Sequence, residues 1–165
     1  MLELNRISAG YGKQTVLDGI SVDFEKGKLT SIIGVNGCGK STLLKAILGI
    51  LSLSSGEIFI DGENLLTISR NEIAKKIAYL SQGKNIPDMT VEQMVLHGRF
   101  PYLSYPRRYS SHDREVAIKA METVGVAEFA HKPLYSLSGG MRQNAYIAMA
   151  LAQDTDYILL DEPTT

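Results

Sequence analysis

Cysteine is almost missing from this chain: Cys38 stands alone among 165 residues, so no internal disulfide can form. No amino-terminal stretch combines a basic start, an apolar run and a small-residue cleavage site, and the expected compartment is reducing cytoplasm. Long hydrophobic runs are missing too. The run over 47–53 is broken by Gly49 and Ser52 and is far too short to cross a bilayer, so any membrane association has to go through a partner. Neither sign of charge is in excess: 17 basic side chains stand against 18 acidic ones, which gives no reason to expect a nucleic acid or an anionic membrane surface. With 44% hydrophobic and 21% charged residues, and no repeat or low-complexity tract, the composition is that of an ordinary folded domain, and one domain is expected.

What is present is a succession of clear local patterns. Leu2, Leu4 and Ile7, then Val16, Leu17, Ile20, Val22 and Phe24, alternate between turns at 11–13 and 26–28, which predicts antiparallel strand pairs. Residues 29–33 read as a short buried strand, followed by a glycine loop and by Leu43, Leu44, Ile47 and Leu48 at helical spacing. A strand over 57–60 runs into an Asp61-Gly62 turn, Ser69 and Glu72 form a capping box, and 77–80 is a further strand leading to Gln82. The middle changes to helices. Thr90 and Gln93 form a second capping box before a helix to about His97, and Val116, Ala117, Ala120, Met121 and Val124 stripe another after Ser111. Residues 99–109 hold Arg99, Arg107 and Arg108 among Phe100, Tyr102, Tyr105 and Tyr109 with two prolines, and are expected to be a loop. A helix over about 141–153 and a buried strand over 157–160, entering Asp161-Glu162, complete the pattern.

Residues 34–41 read Gly-Val-Asn-Gly-Cys-Gly-Lys-Ser, the G-x-x-x-x-G-K-S pattern between a strand and a helix. Glycines let the backbone curl so that successive N–H groups point inward at phosphate oxygens, and the helix adds its positive end. Lys40 would reach the β and γ phosphates, and the Ser41 hydroxyl would ligand Mg2+.

Asp161 follows four apolar residues, so its carboxylate is expected at a strand end where it can hold Mg2+ through water, while Glu162 would orient or deprotonate a water in line with the γ phosphate. Taken alone, the pair before Pro163 reads equally as a solvated turn. Ser138-Gly139-Gly140 opens a helix with a hydroxyl and free N–H groups, a second anion-binding end or else a plain serine cap. One fold does not easily bring both helix ends to one nucleotide, which suggests a site shared between two copies.

Across all 165 residues these motifs, in this order, resemble the ATP-binding cassette family of transporter ATPases. The resemblance implies an α/β P-loop NTPase fold with a mainly parallel core sheet, an amino-terminal antiparallel subdomain and a helical subdomain. It implies one partial nucleotide-binding domain over 1–165, with 1–82 and 154–165 as the ATP-binding core and 83–153 as the helical subdomain and signature helix. Tyr11 looks like the aromatic that stacks on adenine. Gly34, Asn36, Gly37, Gly39, Lys40, Ser41 and Thr42 match the residues that hold ATP. Gln82 resembles the glutamine that senses Mg2+ and contacts the transmembrane partner. Ser138, Gly139 and Gly140 are similar to the signature that embraces the ATP of the opposite subunit, and Asp161 and Glu162 to the magnesium aspartate and the catalytic glutamate.

His97-Gly98-Arg99 with Pro101, and the Ser111-His112-Asp113-Arg114 helix entry, are similar to ATPases that import iron-siderophore, haem or cobalamin. The implied protein is a peripheral subunit on the cytoplasmic face of the membrane. It would pair head to tail with a second copy across ATP, drive permease subunits and serve an extracytoplasmic substrate-binding protein indirectly, with no nucleic acid. A phosphotransferase on the same loop and a nucleotide-gated module without efficient hydrolysis are the competing readings. Two departures stand out: Asn144 occupies a position where the family commonly has a basic residue, and His97, His112 and His131 all lie upstream of the place for a switch histidine. Strands and motifs that the family carries after Thr165 are therefore expected to belong to a longer chain.

Overall fold

The computed structural model describes residues 1–81 and 86–161. They form two compact units, Met1–Lys76 and Ile77–Thr165. The first unit is built on a four-stranded antiparallel sheet. Strands β1 (Leu2–Tyr11), β2 (Gln14–Phe24), β3 (Leu53–Ile60) and β4 (Glu63–Asn64) lie in the order β2-β1-β3-β4. Leu2 and Leu4 are buried on one face of β1, and after a step of three Ile7 and Ala9 continue that face. A strand alternates every second residue, so the extra residue is a bulge, and Arg6 there has φ 47°. Gly56 lies against it: a Cβ at that position would meet the Arg6 carbonyl oxygen at 2.3 Å. The β3–β4 connection is Asp61-Gly62 with φ 53° and 82°, positive at both positions as a two-residue hairpin turn requires. Helix α1 (Lys40–Ile47) buries Leu43, Leu44, Ala46 and Ile47, and α2 (Arg70–Lys76) opens on the expected reciprocal bonds between Ser69 and Glu72.

Residues 29–33 are not the expected buried strand. They take no regular structure, and Leu29 and Ile33 are 96% and 91% exposed. A strand exists only through a neighbour that takes up its N–H and C=O groups, and no described strand pairs with this apolar run.

The second unit pairs β5 (Ile77–Leu80) with β6 (Tyr157–Leu160) in parallel and packs α3 (Val91–Leu96), α4 (Ser111–Thr123) and α5 (Gly139–Ala152) around one core. Ala145, Ala148 and Ala152 line the buried side of α5, and their small side chains let α3 and α4 approach closely. The capping box of Thr90 and Gln93 is formed, and α4 is capped by Ser110 and Asp113. Strand β6 is buried only in part: Tyr157 is covered, whereas Ile158 and Leu160 remain open, because β5 is its one described neighbour. Of the loop expected over 99–109, residues 99–102 instead belong to a 3-10 helix, His97–Tyr102, that continues α3, while 103–109 take no helix or strand.

Candidate functional site

In the first unit the glycine loop wraps back on itself before α1. Gly37 and Gly39 have φ 80° and 102°, values that side-chain-bearing residues rarely adopt. A Cβ at Gly39 would press on Val16 Cγ1 at 3.1 Å, so the loop lies directly on β2. The Lys40 ammonium donates to the carbonyls of Gly34 at 2.9 Å and Val35 at 3.0 Å, and the Cys38 N–H donates to Val35 at 3.3 Å. Gly39 stands at the N-cap of α1 and makes no side-chain capping hydrogen bond. Gly34, Asn36, Gly37 and Ser41 are exposed, and Thr42 turns inward to anchor the helix. Tyr11, half exposed at the end of β1, has the Lys45 ammonium of α1 5.9 Å from its ring centroid. A cation held over a curled, amide-rich turn at a helix start can take phosphate oxygens.

In the second unit Asp161 directly follows β6, as expected. Its N–H donates to the Leu80 carbonyl at 3.0 Å, extending the β5–β6 ladder by one bond. Its Oδ2 accepts a hydrogen bond from the Tyr79 hydroxyl at 3.2 Å. Burial, the Asp161 charge and that hydrogen bond together push the Tyr79 hydroxyl up to about 12, so it stays a donor at neutral pH. Ser138 caps α5, its Oγ accepting from the Met141 N–H at 3.3 Å, and Gly139 and Gly140 are open, with nothing within 4 Å of a Cβ built on either. Gln82 and Glu162 lie outside the described residues. Within each unit, then, Tyr11 shares a body with the glycine loop, and Asp161 shares one with Ser138-Gly139-Gly140.

Among the described residues no group of three or more His, Cys, Asp or Glu side chains gathers as a metal cluster. The Ser41 hydroxyl and the Asp161 carboxylate are hard oxygen donors, however, so the donor chemistry of the expected residues fits Mg2+.

Arg99 is neither a solvated basic residue nor part of a docking surface. It is 3% exposed, with Nε donating to Asp113 Oδ1 at 3.0 Å, a second nitrogen donating to the Ala152 carbonyl at 3.0 Å, and the guanidinium stacked 3.9 Å from the Tyr102 ring centroid. Gly98 explains its own place in the motif, since a Cβ there would meet the Met149 carbonyl oxygen of α5 at 2.2 Å. Asn144, the departure from the expected basic residue, donates through Nδ2 to the Val124 carbonyl at 3.1 Å and ties α5 to the end of α4. Arg107 does lie at the surface, its guanidinium 4.5 Å from the Phe100 ring centroid, and Arg108 and Tyr105 are exposed beside it.

Tyr79 escaped the sequence reading, and Asp113 entered it only within the Ser111-His112-Asp113-Arg114 helix entry, without its partners. Tyr79 sits mid-strand with nothing local to mark it, and its partner is 82 residues away. Asp113 carried a signal that was available: it stands three residues after Ser110, in the spacing of a capping box.

The family model for ABC transporter matches residues 17–165. The chain is 43% identical over 165 residues to the petrobactin import ATP-binding protein FpuD of Bacillus anthracis, covering 99% of this chain and 60% of that protein. It is 42% identical over 161 residues to the ferric enterobactin transport ATP-binding protein FepC of Escherichia coli strain K12, covering 97% of this chain and 59% of that one. A solved ATP-binding cassette of an ABC transporter in its ADP conformation superposes with a TM-score of 0.87 at 27% identity, covering 100% of this chain and 69% of the other. The chain thus spans about three fifths of the length of the curated relatives it matches.

Proposed function

This chain belongs to the ABC transporter family, and from that premise we propose that it is the part of an importer subunit that binds and hydrolyses ATP to drive uptake of an iron-siderophore or related metal chelate. The observation that carries the reading is the loop over 34–41, with its left-handed glycines, its position at the start of α1 and the Lys40 ammonium drawn over its carbonyls. The cargo class is supported by the names of the relatives, a petrobactin and a ferric enterobactin ATP-binding protein.

In this proposal Tyr11 stacks on adenine, and Gly34, Asn36, Gly37, Gly39, Lys40, Ser41 and Thr42 hold the phosphates, with Ser41 also reaching Mg2+. Asp161 and Gln82 serve Mg2+ as well, Glu162 and Gln82 act on the attacking water, and Ser138, Gly139 and Gly140 close on ATP bound by a second copy. The hydrolytic step needs only that water be aligned and charge on the γ phosphate be met by fixed donors. No described helix is long and apolar enough to cross a membrane, which agrees with a peripheral subunit docked on permease subunits through the surface around Phe100, Arg107 and Arg108. A substrate-binding protein outside the membrane would deliver the chelate.

The test is calorimetric titration of the full-length protein with Mg-ATP. Lys40→Ala removes a charge-assisted contact, and a loss of about 1.5–3 kcal/mol, roughly ten- to a hundredfold in affinity, is expected. Equal affinity of the two forms refutes the assignment of the loop.

A further inference from the structure

We propose that Tyr79 is a positioning residue for Asp161, its hydroxyl holding the carboxylate in the orientation that takes a divalent cation; the proposal rests on the reading of Asp161 as a magnesium ligand. The parallel register sets Tyr79 beside Leu159 and Leu80 beside Leu160. Side chains alternate along a strand, so Tyr79, Leu159 and Asp161 fall on one face of the pair, and the Tyr79 ring reaches along the strand direction toward the carboxylate. The Asp161 N–H, bonded to the Leu80 carbonyl at 3.0 Å, fixes the backbone at the strand end. That leaves the side-chain torsions to be set by the partners of the carboxylate. The Tyr79 hydroxyl, donating to Oδ2 at 3.2 Å from a partly buried ring, is such a partner.

A phenol suits this task. Its ring has two torsions, is stiffened by packing and carries its donor on a strand rather than on a loop, so the hydroxyl arrives at a fixed point. A carboxylate that meets a hydrated ion has to present a chosen oxygen in a chosen direction, and neighbours that hold a ligand in place account for about ten- to a hundredfold in metal affinity. The contact also joins β5, which leads in the chain to Gln82, to β6, which leads to Glu162. The sequence ends of both strands are therefore referred to one hydrogen bond between side chains 82 residues apart.

The experiment compares Tyr79→Phe with the parent in the full-length protein saturated with ADP, using Mn2+ as the probe and its free-ion electron paramagnetic resonance signal as the readout. Tyr79→Phe keeps the ring and removes only the oxygen, so half-saturation by Mn2+ is expected to rise about tenfold while ADP affinity in excess chelator stays within about twofold. Asp161→Asn is measured alongside. If Asp161→Asn weakens Mn2+ binding and Tyr79→Phe does not, the positioning role is overturned and the hydrogen bond is purely structural, even where Tyr79→Phe lowers thermal stability. If Asp161→Asn itself leaves Mn2+ binding unchanged, Asp161 is not a ligand, and both the reading of the site and the role of Tyr79 fall.

Discussion

Replacing Arg99 by alanine removes the centre of a buried polar cluster, and the cost can be worked from its partners. Arg99 and Asp113 are 3% and 6% exposed. The substitution leaves the Asp113 carboxylate buried with Ser110 as its one remaining side-chain partner among the described residues, takes a donor from the Ala152 carbonyl and strips the cation from the Tyr102 ring. An exposed ion pair contributes about 0–1 kcal/mol, whereas breaking a buried one costs about 3–5 kcal/mol because the remaining charge is uncompensated. With a typical urea slope of about 2 kcal/mol per molar, the midpoint of the second unit's transition should fall by about 1.5–2.5 M. Far-UV circular dichroism in urea measures it. The double variant Arg99→Met with Asp113→Leu, which leaves no buried charge, should recover much of the loss. Acid adds a second arm. Burial raises the Asp113 carboxyl, but the hydrogen bonds of Ser110 and the hydrogen bond and charge of Arg99 outweigh it and hold the group below its ordinary 3.8. A carboxyl depressed on folding stabilises fully above its unfolded value and loses that contribution as pH falls through the folded one, so the loss begins near 3.8 and continues below it. Arg99→Ala should make that acid decline shallower. A urea shift under about 0.5 M at neutral pH, the scale of an exposed pair, refutes the reasoning.

Cys38 is exposed within the glycine loop, 4.0 Å from the Lys40 ammonium, so maleimide should label it and saturating Mg-ATP should slow the labelling; the same rate with and without nucleotide, read by mass spectrometry, would place the nucleotide elsewhere. Charge reversal at Arg107 and Arg108 in the full-length protein should abolish chelate uptake in cells while calorimetric ATP affinity stays unchanged, and undiminished uptake would remove this surface from the permease contact.

Local chemistry was legible in the sequence because its physical cause is local. The glycine loop places glycines at two left-handed positions and a lysine at a helix start, all within eight residues, so its pattern shows in the sequence whether or not a strand precedes it. The capping boxes at Ser69 and Thr90 and the Asp61-Gly62 hairpin are likewise satisfied by residues within three positions of each other. The striping of β1 and of the helical block was readable too, since burial on one face imposes its period on the sequence. The fold class came with the resemblance that the ordered motifs carry to ATP-binding cassettes, not from caps, turns or striping.

Tertiary structure alone decided the rest, because the partners are far apart in the chain. Arg99 reads as one more basic residue in an aromatic loop, and only Asp113, 14 residues on, and Ala152, 53 residues on, make it a buried anchor. Tyr79 and Asp161 meet because two parallel strands adopt one register rather than another. Residues 29–33 have the composition of a buried strand, yet composition cannot supply the neighbour whose amides and carbonyls would make it one. Gly98 is required by a backbone carbonyl of α5 that the sequence does not place beside it. In each case the residue type sets what the position can do, and the packing of distant segments sets what it does.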